Sequence, residues 1–247
     1  MENAFTNDKD LKFLYDCPND RLKLLVDVII YDKDGKPRIS ETLSDNKIFR
    51  ENYPGNIKAM LPEVINELQR FGGNSISNAV RGHGVSYREI LEDVCKHQKV
   101  NYNKGISTEL LERFLLQKIL LTAVDKMTEE DIKHLTDSEK MTKELLIQNI
   151  TSFHVADPLI IRMVTTAVIK IAGKQGFAML GTWAAGFAGS RAFSVLTGPI
   201  GWALATVWTI YDIAGPAYRV TVPATIMIAY YRMIASKTEE ELKQIFS

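Results

Sequence analysis

Ser86-Tyr87-Arg88-Glu89-Ile90-Leu91-Glu92-Asp93-Val94-Cys95 is the stretch that decides the fold class. Ser86 and Glu89 stand three apart, so the serine oxygen can accept an orphan amide of the first helical turn while the glutamate reaches back to the serine amide. The apolar residues Ile90, Leu91, Val94 and Cys95 then recur at helical spacing. The same serine/threonine–glutamate pairing stands at Thr136/Glu139 and Thr238/Glu241, with a looser version at Thr128/Asp131. Repeated capping chemistry with little period-2 alternation predicts an all-α protein, a multi-helix bundle.

Outward from this stretch, Asn7 is placed to cap a helix carrying Leu11 and Leu14, and Pro18-Asn19 to start another with Leu22, Leu25, Val26 and Ile29 on one face. The β-branched run from Val26 to Tyr31 leaves a strand open as the alternative, ahead of an Asp34-Gly35 turn. A helix within Ile57 to Phe71, starting or kinking at Pro62, is expected to stop at Gly72-Gly73, and Asn74 to cap a short helix ending near Gly82. Another helix is expected from about Thr108 to Lys126.

Charge divides the chain. Of 60 charged side chains only nine lie beyond Lys174, and between Gln175 and Tyr231 there are Arg191, Asp212 and Arg219 alone. We therefore expect a polar helical region over 1–154 and a glycine-rich apolar helical region over 155–247 packed on it, the two forming one cooperative unit. After the helix-start pair Asp157-Pro158, the cations Arg162, Lys170 and Lys174 line up with Thr166 as a narrow stripe, which suits either an anionic membrane surface or the solvated edge of a bundle helix. Gly181, Ala185 and Gly189 follow as small residues four apart, a pattern that lets two helix backbones approach closely. With the break at Gly198-Pro199 they predict an apolar helical hairpin within 176–235, its last helix framed by Gly215-Pro216 and Pro223 and running to about Ala235. Asp212, in apolar surroundings, calls for a cation, and Arg219 beyond the Gly215-Pro216 break is the expected partner, with Arg191 as the other choice. The helical segments left by the breakers are about 15 to 18 residues, short of the ~20 a bilayer core needs, so a hairpin enclosed by protein is expected ahead of one inserted in lipid.

Further motifs carry the chain across almost its whole length toward a known family. Phe71-Gly72-Gly73-Asn74-Ser75-Ile76-Ser77-Asn78, then Arg81-Gly82-His83-Gly84 and Tyr87-Arg88-Glu89-Ile90-Leu91, with Asp10-Leu11-Lys12-Phe13-Leu14 near the start and Gly215 to Pro223 near the end, resemble the YaaW family of uncharacterised bacterial proteins. Some relatives are labelled ubiquinol-cytochrome c chaperone-like, and the resemblance to those implies a non-enzymatic assembly role.

As chemistry, the sequence offers less. Equal counts of 30 basic and 30 acidic residues leave no net field for a polyanion, so nucleic acid is not the expected partner. Arg81, His83, Tyr87 and Arg88 form a candidate contact for an anionic group on a partner, against ordinary ion pairing with Glu89, Glu92 or Asp93. The glycines around 72–84 fit neither dinucleotide- nor nucleotide-loop spacing. Cys17 and Cys95 lack metal-ligand spacing and are expected as ordinary thiols, with a disulfide or a metal shared with His83 or His97 as alternatives. No cofactor or metal is expected, nor a catalytic constellation among the four histidines. The expected function is a helical interaction or assembly-chaperone-like protein in the cytoplasm or peripheral at the inner membrane. Its alternatives are a membrane-inserting protein acting through 176–235 and an enzyme with a site near 81–93.

Overall fold

A computed structural model describes residues 8–75 apart from 33 and 39–40, residues 84–171 apart from 137 and 155, and residues 217–246. These residues form helices and no strand, with one isolated bridge between Tyr31 and Pro37. After a 3-10 helix at Lys9–Asp16 come α1 (Asn19–Ile30), α2 (Lys47–Asn52), α3 (Leu61–Ser75), α4 (Tyr87–His97) and α5 (Thr108–Asp125). Then follow α6 (Glu129–Thr136), α7 (Lys143–Ser152), α8 (Pro158–Ile171), α9 (Tyr218–Ile234) and α10 (Glu239–Phe246). The capping chemistry expected at Ser86/Glu89 is complete: Ser86 Oγ accepts the Glu89 amide at 3.3 Å and Glu89 Oε2 accepts the Ser86 amide at 2.9 Å. Thr238/Glu241 and Thr128/Asp131 cap α10 and α6 in the same reciprocal way. The first part of the predicted hairpin, with Gly181, Ala185 and Gly189, lies outside the described residues, while its expected last helix is α9; Asn74, expected to cap a short helix ending near Gly82, is instead a residue of α3.

The helix expected through Val26 and Ile29 is present and the strand alternative is not: Val26 to Ile30 is the buried end of α1, and only Tyr31 is left to bridge Pro37 across the turn. Three local expectations are corrected. Asp8, rather than the residue before it, caps the N-terminal 3-10 helix, its Oδ1 accepting the Asp10 amide. Thr136 ends α6 instead of opening a helix: its hydroxyl donates to the Ile132 carbonyl, Glu139 is drawn to Lys133, and Thr142 caps α7. Gly72-Gly73 does not stop α3, which continues to Ser75. A Cβ on Gly72 would lie 2.5 Å from Ile90 Cγ1 and 2.9 Å from Val85 Cγ2, so glycine is there to let α4 close on α3. Gly84 serves the same approach, with room for no Cβ against the Gln69 backbone.

The most enclosed element is α9. Every residue from Val220 to Tyr231 is buried, and the helix packs on α1, α3, α4, α5 and α8. Pro223 lies within it and not at its start. A proline there cannot donate to the Arg219 carbonyl one turn earlier, and Arg38 supplies the missing donor at 3.2 Å. Among the described residues both of its buried tyrosine hydroxyls are answered, although the buried Thr225 hydroxyl is not: Thr165 of α8 donates to the Tyr230 oxygen at 2.9 Å, and Tyr231 donates to the Arg21 carbonyl of α1 at 2.7 Å. Consecutive residues thus fasten α9 to different neighbours, since a helix buried on all faces can reach several partners within one turn.

Candidate functional site

Arg232, next in the series, reaches a place where four elements converge. Its Nε donates to Glu112 Oε2 of α5 at 2.6 Å, and its Nη2 donates to the Asp10 carbonyl of the N-terminal 3-10 helix. The Phe13 ring lies under the guanidinium, 4.1 Å from Cζ to ring centroid. Tyr87, the first residue of α4, donates its hydroxyl to the other Glu112 oxygen at 2.7 Å. Asp8 Oδ2 accepts the Tyr87 amide at 2.7 Å and the Gln69 side chain at 3.3 Å, while Asp10 Oδ2 accepts the Thr108 hydroxyl at 3.0 Å. Carboxylates of the 3-10 helix thus sit at the starts of α4 and α5, where unsatisfied amides and the helix dipole favour negative charge.

The electrostatics follow from burial. Glu112 and Tyr87 are 2% and 0% exposed. Burial pushes the Tyr87 hydroxyl well above its usual range, and the Glu112 charge adds to the effect, so it stays protonated as a donor. Burial also works against the charge on Arg232, but the Glu112 carboxylate outweighs it and holds the guanidinium charged. Both Glu112 oxygens are engaged, so the network is closed on itself.

Above this junction is an open groove of about 810 Å³, walled by Asp8, Lys9, Asp10, Arg88 and Glu92 and completed by the Gly105–Glu109 turn into α5. Arg88 bridges its sides, donating to Glu92 Oε1 and to the Ile106 carbonyl, each at 2.8 Å. Lys9 and Glu109 stand exposed at its edge.

The residues singled out in the sequence are only partly brought together. Tyr87 points into the core and is no surface contact, a correction that follows from its hydrogen bond to Glu112. Arg88 does line the groove, paired with Glu92 as ordinary ion pairing predicts; Arg81 and His83 lie outside the described residues. On α8, Arg162 and Lys170 are half-buried, Thr166 is buried, and Arg162 donates to the Ile245 carbonyl of α10, which therefore covers that end of the stripe. Lys174 and Asp212 lie outside the described residues; Arg219 stands exposed on the first turn of α9. Cys17 and Cys95 are separate buried thiols, which removes the disulfide. Among the described residues no group of three or more His, Cys, Asp or Glu is placed to hold a metal ion, and no helix is long and apolar enough to cross a membrane. Glu112 and Arg232 escaped notice, although both sit where their helices' periodicity calls for apolar residues, and that position is the signal.

A family model described as a domain of unknown function, DUF3944, matches residues 5–39, which include Asp8, Asp10 and Phe13 of the junction. The chain is 36% identical to a UPF0174 protein of Helicobacter pylori strain J99, covering 98% of each. It is 33% identical to the UPF0174 protein YaaW of Escherichia coli K12 over 97% of this chain and all of that one. The names of these relatives state no activity. No solved structure matches.

Proposed function

The chain belongs to the UPF0174 (YaaW) family, and from that premise we propose that it is a non-enzymatic interaction protein that holds a polar segment of a protein partner in the groove at the N-terminal junction. One observation carries this: the buried acid, base and hydroxyl groups of the junction satisfy one another, while the open groove above them presents charges of both signs. Burial holds Tyr87 protonated and raises Glu112, and both Glu112 oxygens are engaged within the junction by Tyr87 and Arg232. Lys9, Glu92 and Glu109 are arranged at the surface as a mixed-charge rim, which favours orientation and on-rate in docking a polypeptide. An assembly role in the cytoplasm or against the inner membrane fits such a surface.

The test is a photo-crosslinking residue placed at Lys9 in living cells, with a second at the exposed Glu240 as control. The proposal expects a discrete adduct with one protein at position 9, absent at position 240 and lost when Arg88→Glu reverses the groove wall. No adduct at position 9, an Arg88-independent one, or crosslinks to lipid in a carbonate-resistant membrane fraction would contradict it. The last result would favour attachment through Arg162, Lys170 and Lys174 or insertion of 176–235.

A further inference from the structure

Beside the junction, between α5 and α9, lies a smaller cavity of about 170 Å³. Leu116, Ala229 and Met233 give it apolar walls, and Arg113, Arg232 and Glu112 bring charge to it. The two arginines differ in what they already hold. Arg232 is committed to Glu112 and to the Asp10 carbonyl. Arg113 lies 5.8 Å from the Phe153 ring centroid and donates one N–H to the Phe153 carbonyl at 2.8 Å. Its Nε is buried with no acceptor, and it pairs with no carboxylate among the described residues. Glu109, one turn earlier on α5, also lines the cavity but is exposed and does not reach it.

From this geometry we infer that the cavity is a binding site for a small monocarboxylate with a compact apolar body. A buried guanidinium N–H without an acceptor is unfavourable, and a carboxylate is the planar acceptor that a guanidinium edge fits best. The volume sets the body: an apolar cavity of roughly 150 Å³ takes up benzene, so an aromatic or short branched acid fits and a long acyl chain does not. The charge sets the head group. Glu112 is paired with Arg232, and the exposed Glu109 is screened by water, so Arg113, which pairs with no carboxylate among the described residues, is the cation placed to take one negative charge; a dianion would bring its second charge against Glu112 and Glu109. This site shares Glu109 with the edge of the groove, and the inference does not depend on a partner there.

Benzoate is the probe, titrated into the full chain and followed by direct calorimetry and by the melting midpoint, with benzyl alcohol and inorganic phosphate as comparisons. Saturable benzoate binding at millimolar concentrations or below is expected, with benzyl alcohol and phosphate at least about tenfold weaker because each lacks either the charge or the apolar body. Arg113→Gln should weaken benzoate by about tenfold or more, and Met233→Trp, which leaves Arg113 and Phe153 in place, should abolish binding by filling the cavity. Circular dichroism establishes that both variants fold, and the three-probe comparison on the unaltered chain decides the matter if either does not. No saturable benzoate binding below roughly 50 mM, benzyl alcohol or phosphate binding as tightly, or undiminished affinity in Arg113→Gln would overturn the inference.

Discussion

α9 and the α6–α7 pair are both helical and both carry ion pairs, but they use them differently. On α9, Arg232 meets a carboxylate that is 2% exposed, with a tyrosine hydroxyl and a backbone carbonyl completing the set. Around α6 and α7, Lys133 and Glu139 meet at 2.8 Å with 42% and 85% of their side chains exposed. The distances are alike, yet water screens the second pair far more than the first, whose arginine is 19% exposed and whose carboxylate is 2% exposed. Similar contact geometry therefore implies unequal consequences, and the inequality can be measured.

The largest effect belongs to Arg232→Met, which leaves Glu112 buried without its cation. Urea unfolding should show a loss of about 3–5 kcal/mol, and a loss under 1 kcal/mol would mean that water reaches Glu112. Gly72→Leu comes next. Its side chain would have to enter the α3–α4 contact, where Ile90 and Val85 already stand within 3 Å of a Cβ; overpacking should cost about 1–3 kcal/mol, and unchanged stability would show that α4 can withdraw freely.

Alkaline pH probes the same enclosure. Burial pushes the Cys95 thiol from 9.0 up to about 12 and the Tyr230 hydroxyl from 10.0 up to about 12. Both groups ionise earlier in the unfolded chain, so their contribution is fully present below about pH 9 and is lost as the pH rises toward 12. By pH 10 a decline of roughly 1–3 kcal/mol is expected in urea titrations, because the buried Tyr87 and Tyr231 hydroxyls are pushed the same way, and Cys95→Ala should remove part of it. Tyr231→Phe should cost about 1 kcal/mol by removing the side-chain donor to the Arg21 carbonyl that ties α9 to α1. At the small end, Lys133→Ala should leave the melting midpoint unchanged at low and high salt, since both partners stand in water; a clear salt-dependent drop would erase the contrast between the two regions.

Much of this architecture was legible in the residues. Ser86/Glu89 and Thr238/Glu241 state their helix starts in local chemistry, which needs no tertiary information. Thr136/Glu139 has the same spacing and failed, because Lys133 lay within reach of Glu139 and Thr136 could bond back within α6. Gly72-Gly73 misled for a related reason: a glycine that ends a helix and one that admits a neighbouring helix read alike until the neighbour is placed. Of the candidate site, Arg88 and the start of α4 were visible, whereas Glu112 and Arg232 were not. They are 120 residues apart, and no local pattern brings a residue of α5 to one of α9.

The central claim is that the Tyr87–Glu112–Arg232 network is a closed, largely buried fastening of the N-terminal segment to the bundle. A double-mutant cycle in urea with Glu112→Leu, Arg232→Met and the pair together tests it most directly. Each single variant should be strongly destabilised, and the double variant, with both charges gone, should lose about 2–3 kcal/mol less than the sum of the two single losses. Two losses that simply add would show that neither charge depends on the other, and the closed network would then be wrong.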